Sequence, residues 1–89
     1  MAKRTDSNHA EICRALRKAG CSIVDLSAVG RGCPDIAVGR MGKTFMLEIK
    51  SERGKLNKRQ YRFADEWRGH LAVVRSVDEA LMAVGLLQN

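Results

Sequence analysis

The run Thr44-Phe-Met-Leu-Glu-Ile-Lys50 constrains this chain more than any other stretch. As a strand it alternates faces, so Phe45, Leu47 and Ile49 point one way and Met46, Glu48 and Lys50 the other. The apolar side demands a core. A carboxylate and an ammonium sharing the opposite side need a separate reason. A solvated ion pair is one such reason, although exposed pairs contribute only about 0–1 kcal/mol. The other is chemistry, and it depends on what the neighbouring strand supplies.

The surrounding sequence resolves into short elements. Ser7 to Ala19 is helical in period, with Ile12, Cys13, Ala15, Leu16 and Ala19 on one face and Gly20 as the stop. Ser22 to Ala28 is β-rich, and Gly30 to Pro34 reads as a loop. Asp35–Val38 and Thr44–Lys50 form a hairpin whose turn, Gly39 to Lys43, is expected to be longer than the tightest types. Ser51 to Leu56 is a polar connection, and a second helix runs from Asn57 to about Arg68. Leu71 to Val74 is a short strand. The last helix opens with Ser76 as N-cap and Glu79 at N3, a capping box, and presents Ala80, Leu81, Ala83, Val84 and Leu87. The order α-β-β-β-α-β-α implies an α/β fold with a mixed central sheet flanked by helices. At 89 residues the chain is expected to be one domain, residues 1–89.

Charge narrows the partners. The formal net charge is +6, and eight basic residues fall between Arg40 and Arg62 against two acidic ones, Glu48 and Glu52. A basic stretch around a carboxylate suits a polyanion, since neutralised phosphates release condensed counterions. The three cysteines, Cys13, Cys21 and Cys33, contain no C-x-x-C, so no disulfide framework is readable and a reducing cytoplasm fits. Met1 to Asp6 leads into no apolar leader segment, and no apolar run reaches membrane length.

Asp35 begins the strand that pairs with Thr44–Lys50. In a suitable antiparallel register it lies beside Glu48. Two carboxylates brought together repel, and a hard divalent cation with oxygen ligands relieves them. Mg²⁺ suits a sparse set of one or two carboxylates, and the backbone carbonyl of Ile49 would add a ligand. Lys50 would then hold or help deprotonate an attacking water and offset transition-state charge, while the metal polarises a phosphoryl oxygen.

Pro34-Asp35, twelve intervening residues and Glu48-Ile49-Lys50 resemble the signature of the PD-(D/E)xK nuclease superfamily, whose core is restriction-endonuclease-like. Gly32-Cys-Pro-Asp35, Glu48-Ile-Lys50-Ser51, Gly54-Lys-Leu56 and Gln60, followed by an aromatic helix with Trp67, resemble its virus-type replication-repair nuclease (VRR-NUC) family in small stand-alone form. The resemblance runs from Glu11 onward. It implies metal-dependent cleavage of structured DNA, with stand-alone members acting as homodimeric resolvases of four-way (Holliday) junctions. It makes Asp35 and Glu48 metal ligands, Lys50 the water-activating lysine, Gln60 a helix glutamine facing the site, and Glu11 a first-helix acid near the metal, in contact through water. The implied cofactor is Mg²⁺, with Mn²⁺ as substitute. Arg31, Arg40, Lys43, Arg53, Lys55, Lys58, Arg59 and Arg62 are the candidate DNA-binding residues. The stretch Asn57-Lys-Arg59 is more basic than the family pattern.

Alternatives stand beside several of these roles. Glu11, at the flank of the apolar stripe, either reaches the site or pairs with Arg14 or Lys18. Gln60 occupies N3 behind Asn57, where it can close a capping box instead. Tyr61, Phe63 and Trp67 are expected to pack the helix rather than stack bases. His9, His70 and Cys33 have no partner at useful spacing. An apolar dimer surface is expected from Leu81, Met82, Val84, Leu86 and Leu87. Against a junction resolvase stand a nickase or flap cutter and, from another class, a non-catalytic basic DNA-binding module. A pure binder gains nothing from carboxylates inside a phosphate groove, which weighs against the last.

Overall fold

The computed structural model describes residues 6–88 of the chain, so the leader reading of Met1–Thr5 lies outside the described residues. Its elements are α1 (Asp6–Lys18), β1 (Ser22–Asp25), β2 (Ile36–Arg40), β3 (Lys43–Ile49), α2 (Lys58–Glu66), β4 (His70–Val74) and α3 (Val77–Ala83). This is the expected order. α1 stops where the sequence says it should: Gly20 takes φ +96°, the Cys21 N–H donates to the Leu16 carbonyl, and the Gly20 N–H donates to Arg17. That pair of bonds is a Schellman motif, and glycine carries its left-handed residue without steric cost.

β1 is shorter than the β-rich run from Ser22 to Ala28. The Asp25 carboxylate accepts from both the N–H and the hydroxyl of Ser27, at 2.8 and 2.6 Å, and turns the chain away from the sheet. Asp and Ser compete with strand pairing by such local bonds.

The hairpin also corrects the sequence reading. Arg40 pairs with Lys43, leaving only Met41 and Gly42 in the turn. Both have positive φ, +50° and +78°, the conformation of a type I′ turn. The connection is therefore of the tightest kind.

The sheet runs β1-β2-β3-β4, antiparallel except for the parallel β3–β4 pair, with α2 carrying the crossover between those two. On one face Ile36, Val38, Leu47 and Ile49 join Ile12 and Leu16 of α1 and Ala80 and Val84 of the α3 end in a single core. A buried leucine or isoleucine contributes about 1.5–3 kcal/mol, so this face carries most of the stability. α2 contributes no buried residue.

α3 ends earlier than its apolar pattern suggests. Gly85 at φ +84° and a Leu86 N–H bond to the Leu81 carbonyl close it, returning Leu86 to the core and leaving Leu87 exposed. Its capping box is also half as drawn. The Ser76 hydroxyl accepts from Glu79 N–H, whereas the Glu79 carboxylate accepts from the N–H of Arg75, one residue before the cap.

Candidate active site

In a two-residue hairpin each pair of partners is fixed by the turn. Ile36 pairs with Leu47, and the Asp35 N–H donates to that same Leu47 carbonyl, so the regular ladder ends at Asp35. The Asp35 carboxyl nonetheless comes within hydrogen-bond reach of the Glu48 carboxyl. The Asp35 carbonyl accepts from Leu26 N–H on its other side, so the residue is held in the sheet although it precedes β2.

Asp35, Glu48 and Lys50 come together on the face opposite the core. The Asp35 carboxylate accepts from the Ile49 N–H at 2.7 Å. Within a strand a residue's C=O points to the same edge as its N–H, so the Ile49 carbonyl is presented where Asp35 sits. Lys50 Nζ lies 3.7 Å from Glu48 Oε2, and Glu48 is almost wholly buried. Burial, reinforced by the negative charge of Asp35 and a hydrogen bond to it, pushes the Glu48 carboxyl from 4.5 up to about 7, against the opposing pull of Lys50. Glu48 thus holds its proton more tightly than an ordinary carboxyl. This donor set (two carboxylates and a carbonyl, all hard oxygens) fits Mg²⁺, and binding would require loss of the proton that Glu48 holds.

Gln60 closes the capping box and also reaches Glu48. Its backbone N–H donates to Asn57 Oδ1 and its Oε1 accepts from Asn57 N–H, each at 2.9 Å, closing the capping box. Its Nε2 donates to Glu48 Oε2 at 3.1 Å. A single amide has an acceptor for the cap and a donor for the carboxylate.

α2 comes this close because of Gly32. A Cβ there would stand 2.3 Å from the Arg59 carbonyl oxygen and 2.9 Å from the Gln60 nitrogen, and Gly32 has φ +82°. Only glycine fits both the conformation and the approach.

Three contacts were invisible in the sequence. From α1, Asn8 Nδ2 donates to the Lys50 carbonyl at 2.9 Å, while the Lys50 N–H donates to Val74 at 3.0 Å, so the lysine's backbone is pinned on both sides. Arg75 Nη1 donates to the carbonyls of Ser51 and Gly54, at 2.8 and 2.6 Å. It thereby folds the basic connection back, and a Cβ at Gly54 would lie 3.5 Å from that of Lys50.

The other candidates are spread over several elements. Glu11 is exposed on α1, and the groups acting on Glu48 do not include it. Among the described residues no three His, Cys, Asp or Glu side chains converge. Arg31 is exposed in the glycine loop, and Arg53, Lys55, Lys58, Arg59 and Arg62 are exposed along the connection and α2, beside the site. Arg40 and Lys43 sit at the hairpin tip, the opposite end of β3 from Glu48, and Arg40 Nη1 donates to the Val84 carbonyl at 3.0 Å.

The aromatic expectation needs correction. Tyr61 is 67% exposed and Trp67 42%, because the outer side of α2 faces no part of the core. Only Phe63 and Trp67 stack, 5.4 Å apart. Burial, followed by the charges of Glu48 and Asp35, pushes the Cys33 thiol up, away from the thiolate that a nucleophile would need.

A mixed sheet inside an αβββαβα chain is the fold expected from the sequence. The comparison with solved structures agrees. The chain is similar to a structure titled VRR_NUC domain, with a TM-score of 0.77 and 24% sequence identity over 93% of this chain and 96% of that one. The chain has the VRR_NUC fold. No family model and no curated protein matches it.

Proposed function

We propose that this chain is a divalent-metal-dependent DNA endonuclease of the VRR-NUC type, a single domain over residues 1–89 acting in the cytoplasm. The observation that carries this reading is the meeting of Asp35 with the buried Glu48 beside the Lys50 ammonium, on a face the core does not need. Asp35, Glu48 and the Ile49 carbonyl would hold Mg²⁺, with Mn²⁺ able to replace it. The ion would polarise a phosphoryl oxygen and favour hydroxide formation from water. The protein's own groups do the rest. Lys50 orients the attacking water and offsets the charge growing on the phosphoryl oxygens. Gln60 keeps Glu48 turned toward Asp35, and Asn8 with Val74 fixes the backbone from which Lys50 extends. Glu11, three residues after Asn8 and so on the same side of α1, stays in this set as the first-helix acid that would reach the ion through water.

Branched DNA, and a four-way junction in particular, is the preferred substrate in this reading, cut by a homodimer. Two opposed strands must be cut and each chain carries one site. The basic residues from Arg53 to Arg62 border the carboxylates and would track the backbone to them. The test incubates the protein with a four-way junction, a flap, a nicked duplex and a linear duplex, with Mg²⁺ or EDTA. Lys50→Ala is expected to lower cleavage by at least about 100-fold while binding persists. Cleavage surviving in Lys50→Ala and Asp35→Ala would overturn the site. Preferred cutting of flaps or nicks would move the substrate, and sedimentation as a monomer would remove the dimer.

A further inference from the structure

We propose that the β2–β3 hairpin tip is a second DNA contact, where Met41 wedges against unstacked bases and Lys43 holds the adjoining phosphate. It rests on the DNA endonuclease reading and adds a specificity element remote from the chemistry. Two features of Met41 point outside the fold. At φ +50° it occupies a position of a type I′ turn that strongly prefers Asn or Gly, so the chain retains a side chain there against its own backbone preference. It is also 79% exposed, more than any other large apolar side chain described, and takes no part in the core. Neither burial nor turn geometry accounts for a methionine here.

The surroundings say what it would meet. The tip borders an open depression of about 630 Å³ whose lining includes Arg40, Lys43, Thr44 and Ser22 and contains no carboxylate. Ala19 and Gly20 close its other side, directly after the basic last turn of α1, Arg17 and Lys18. A protein partner with an apolar pocket would not need that positive rim. A nucleic acid would. Apolar wedges including Met enter between base steps in this way and cost least where stacking is already broken, as at a branch point.

A wedge must be rigid. The turn is the shortest kind, and Arg40 at its base is tied to the Val84 carbonyl. Five residue steps along β3 separate Lys43 from Glu48, about 17 Å, roughly the length of five stacked base pairs.

The test measures binding in EDTA to a four-way junction carrying 2-aminopurine at the branch and to a linear duplex of the same sequence. The parent protein is expected to brighten the probe. Met41→Asn relieves the turn, so it should melt a few degrees higher. Its junction affinity should nevertheless fall about ten-fold, or about 1.4 kcal/mol, with the brightening lost. Met41→Gly should behave as Met41→Asn, and Met41→Phe should keep the brightening. Junction binding and brightening unchanged in Met41→Asn would overturn the proposal, as would an equal loss on linear duplex or a lower melting temperature. A parent that cuts DNA while Met41→Asn matches it removes the wedge alone. A parent that binds no DNA overturns the nuclease reading and the wedge together.

Discussion

The two faces of β3 are held by different forces. Phe45, Leu47 and Ile49 lie under α1 and α3, closed by apolar packing. Glu48 and Lys50 lie toward α2, a nine-residue helix with no buried residue, held by a capping box, one amide bond to Glu48 and the close approach at Gly32. Helices this short are marginal without packing. The difference separates stability from function. Damage to the first face should unfold the protein, and damage to the second should disarm it while leaving the sheet standing.

The largest effect belongs to the core face. Leu47→Ala should lose about 2–5 kcal/mol, enough to leave much of so small a chain unfolded, read by thermal or urea denaturation.

Next comes the titration of Glu48 in the metal-free protein. Its folded pKa, about 7, lies above its ordinary 4.5, so the native state binds the proton more tightly than the unfolded state. The resulting stability is fully present below about pH 4.5 and is lost as pH rises through about 7, at about 1.4 kcal/mol per pKa unit. Melting temperature should fall across that window. Glu48→Gln should flatten the fall, and a parent curve already flat there would refute the raised Glu48 pKa.

Gly32→Ala should cost about 1–3 kcal/mol through its positive φ and lift the first turn of α2 away. Cleavage should then drop far more than stability. Equal losses would mean that α2 matters to the core after all.

Gln60→Glu is the finest probe. It preserves an acceptor for the Asn57 N–H but replaces the amide donor to Glu48 with a third carboxylate. Stability should change by less than about 1 kcal/mol, while the pH at which metal binding becomes half-maximal should rise, as followed by calorimetry.

Much of this was legible before the fold was known. The alternation in Thr44–Lys50 separated core from site, and Gly20, Asn57 and Ser76 marked the end of α1 and the starts of α2 and α3, whereas α2 and α3 stop earlier than their patterns suggest. The meeting of Asp35 and Glu48 was available only conditionally, because it needs a register. The register comes from Met41-Gly42, which reads as a longer loop because methionine is not a residue expected at positive φ. Asn8 and Arg75 were not legible at all. Their bonds to Lys50, Ser51 and Gly54 span 42, 24 and 21 residues and leave no periodic trace. The exposure of Tyr61 was hidden for a related reason: an aromatic in a helical pattern signals a buried face only if something lies over that face.

Gln60 has a wider implication. Because one amide both starts α2 and steadies Glu48, the winding of a helix and the poise of the Glu48 carboxyl become a single degree of freedom. Warming, or any variant that frays that first turn, should switch the reaction off well before the sheet melts. In such a protein the activity would be the more sensitive thermometer.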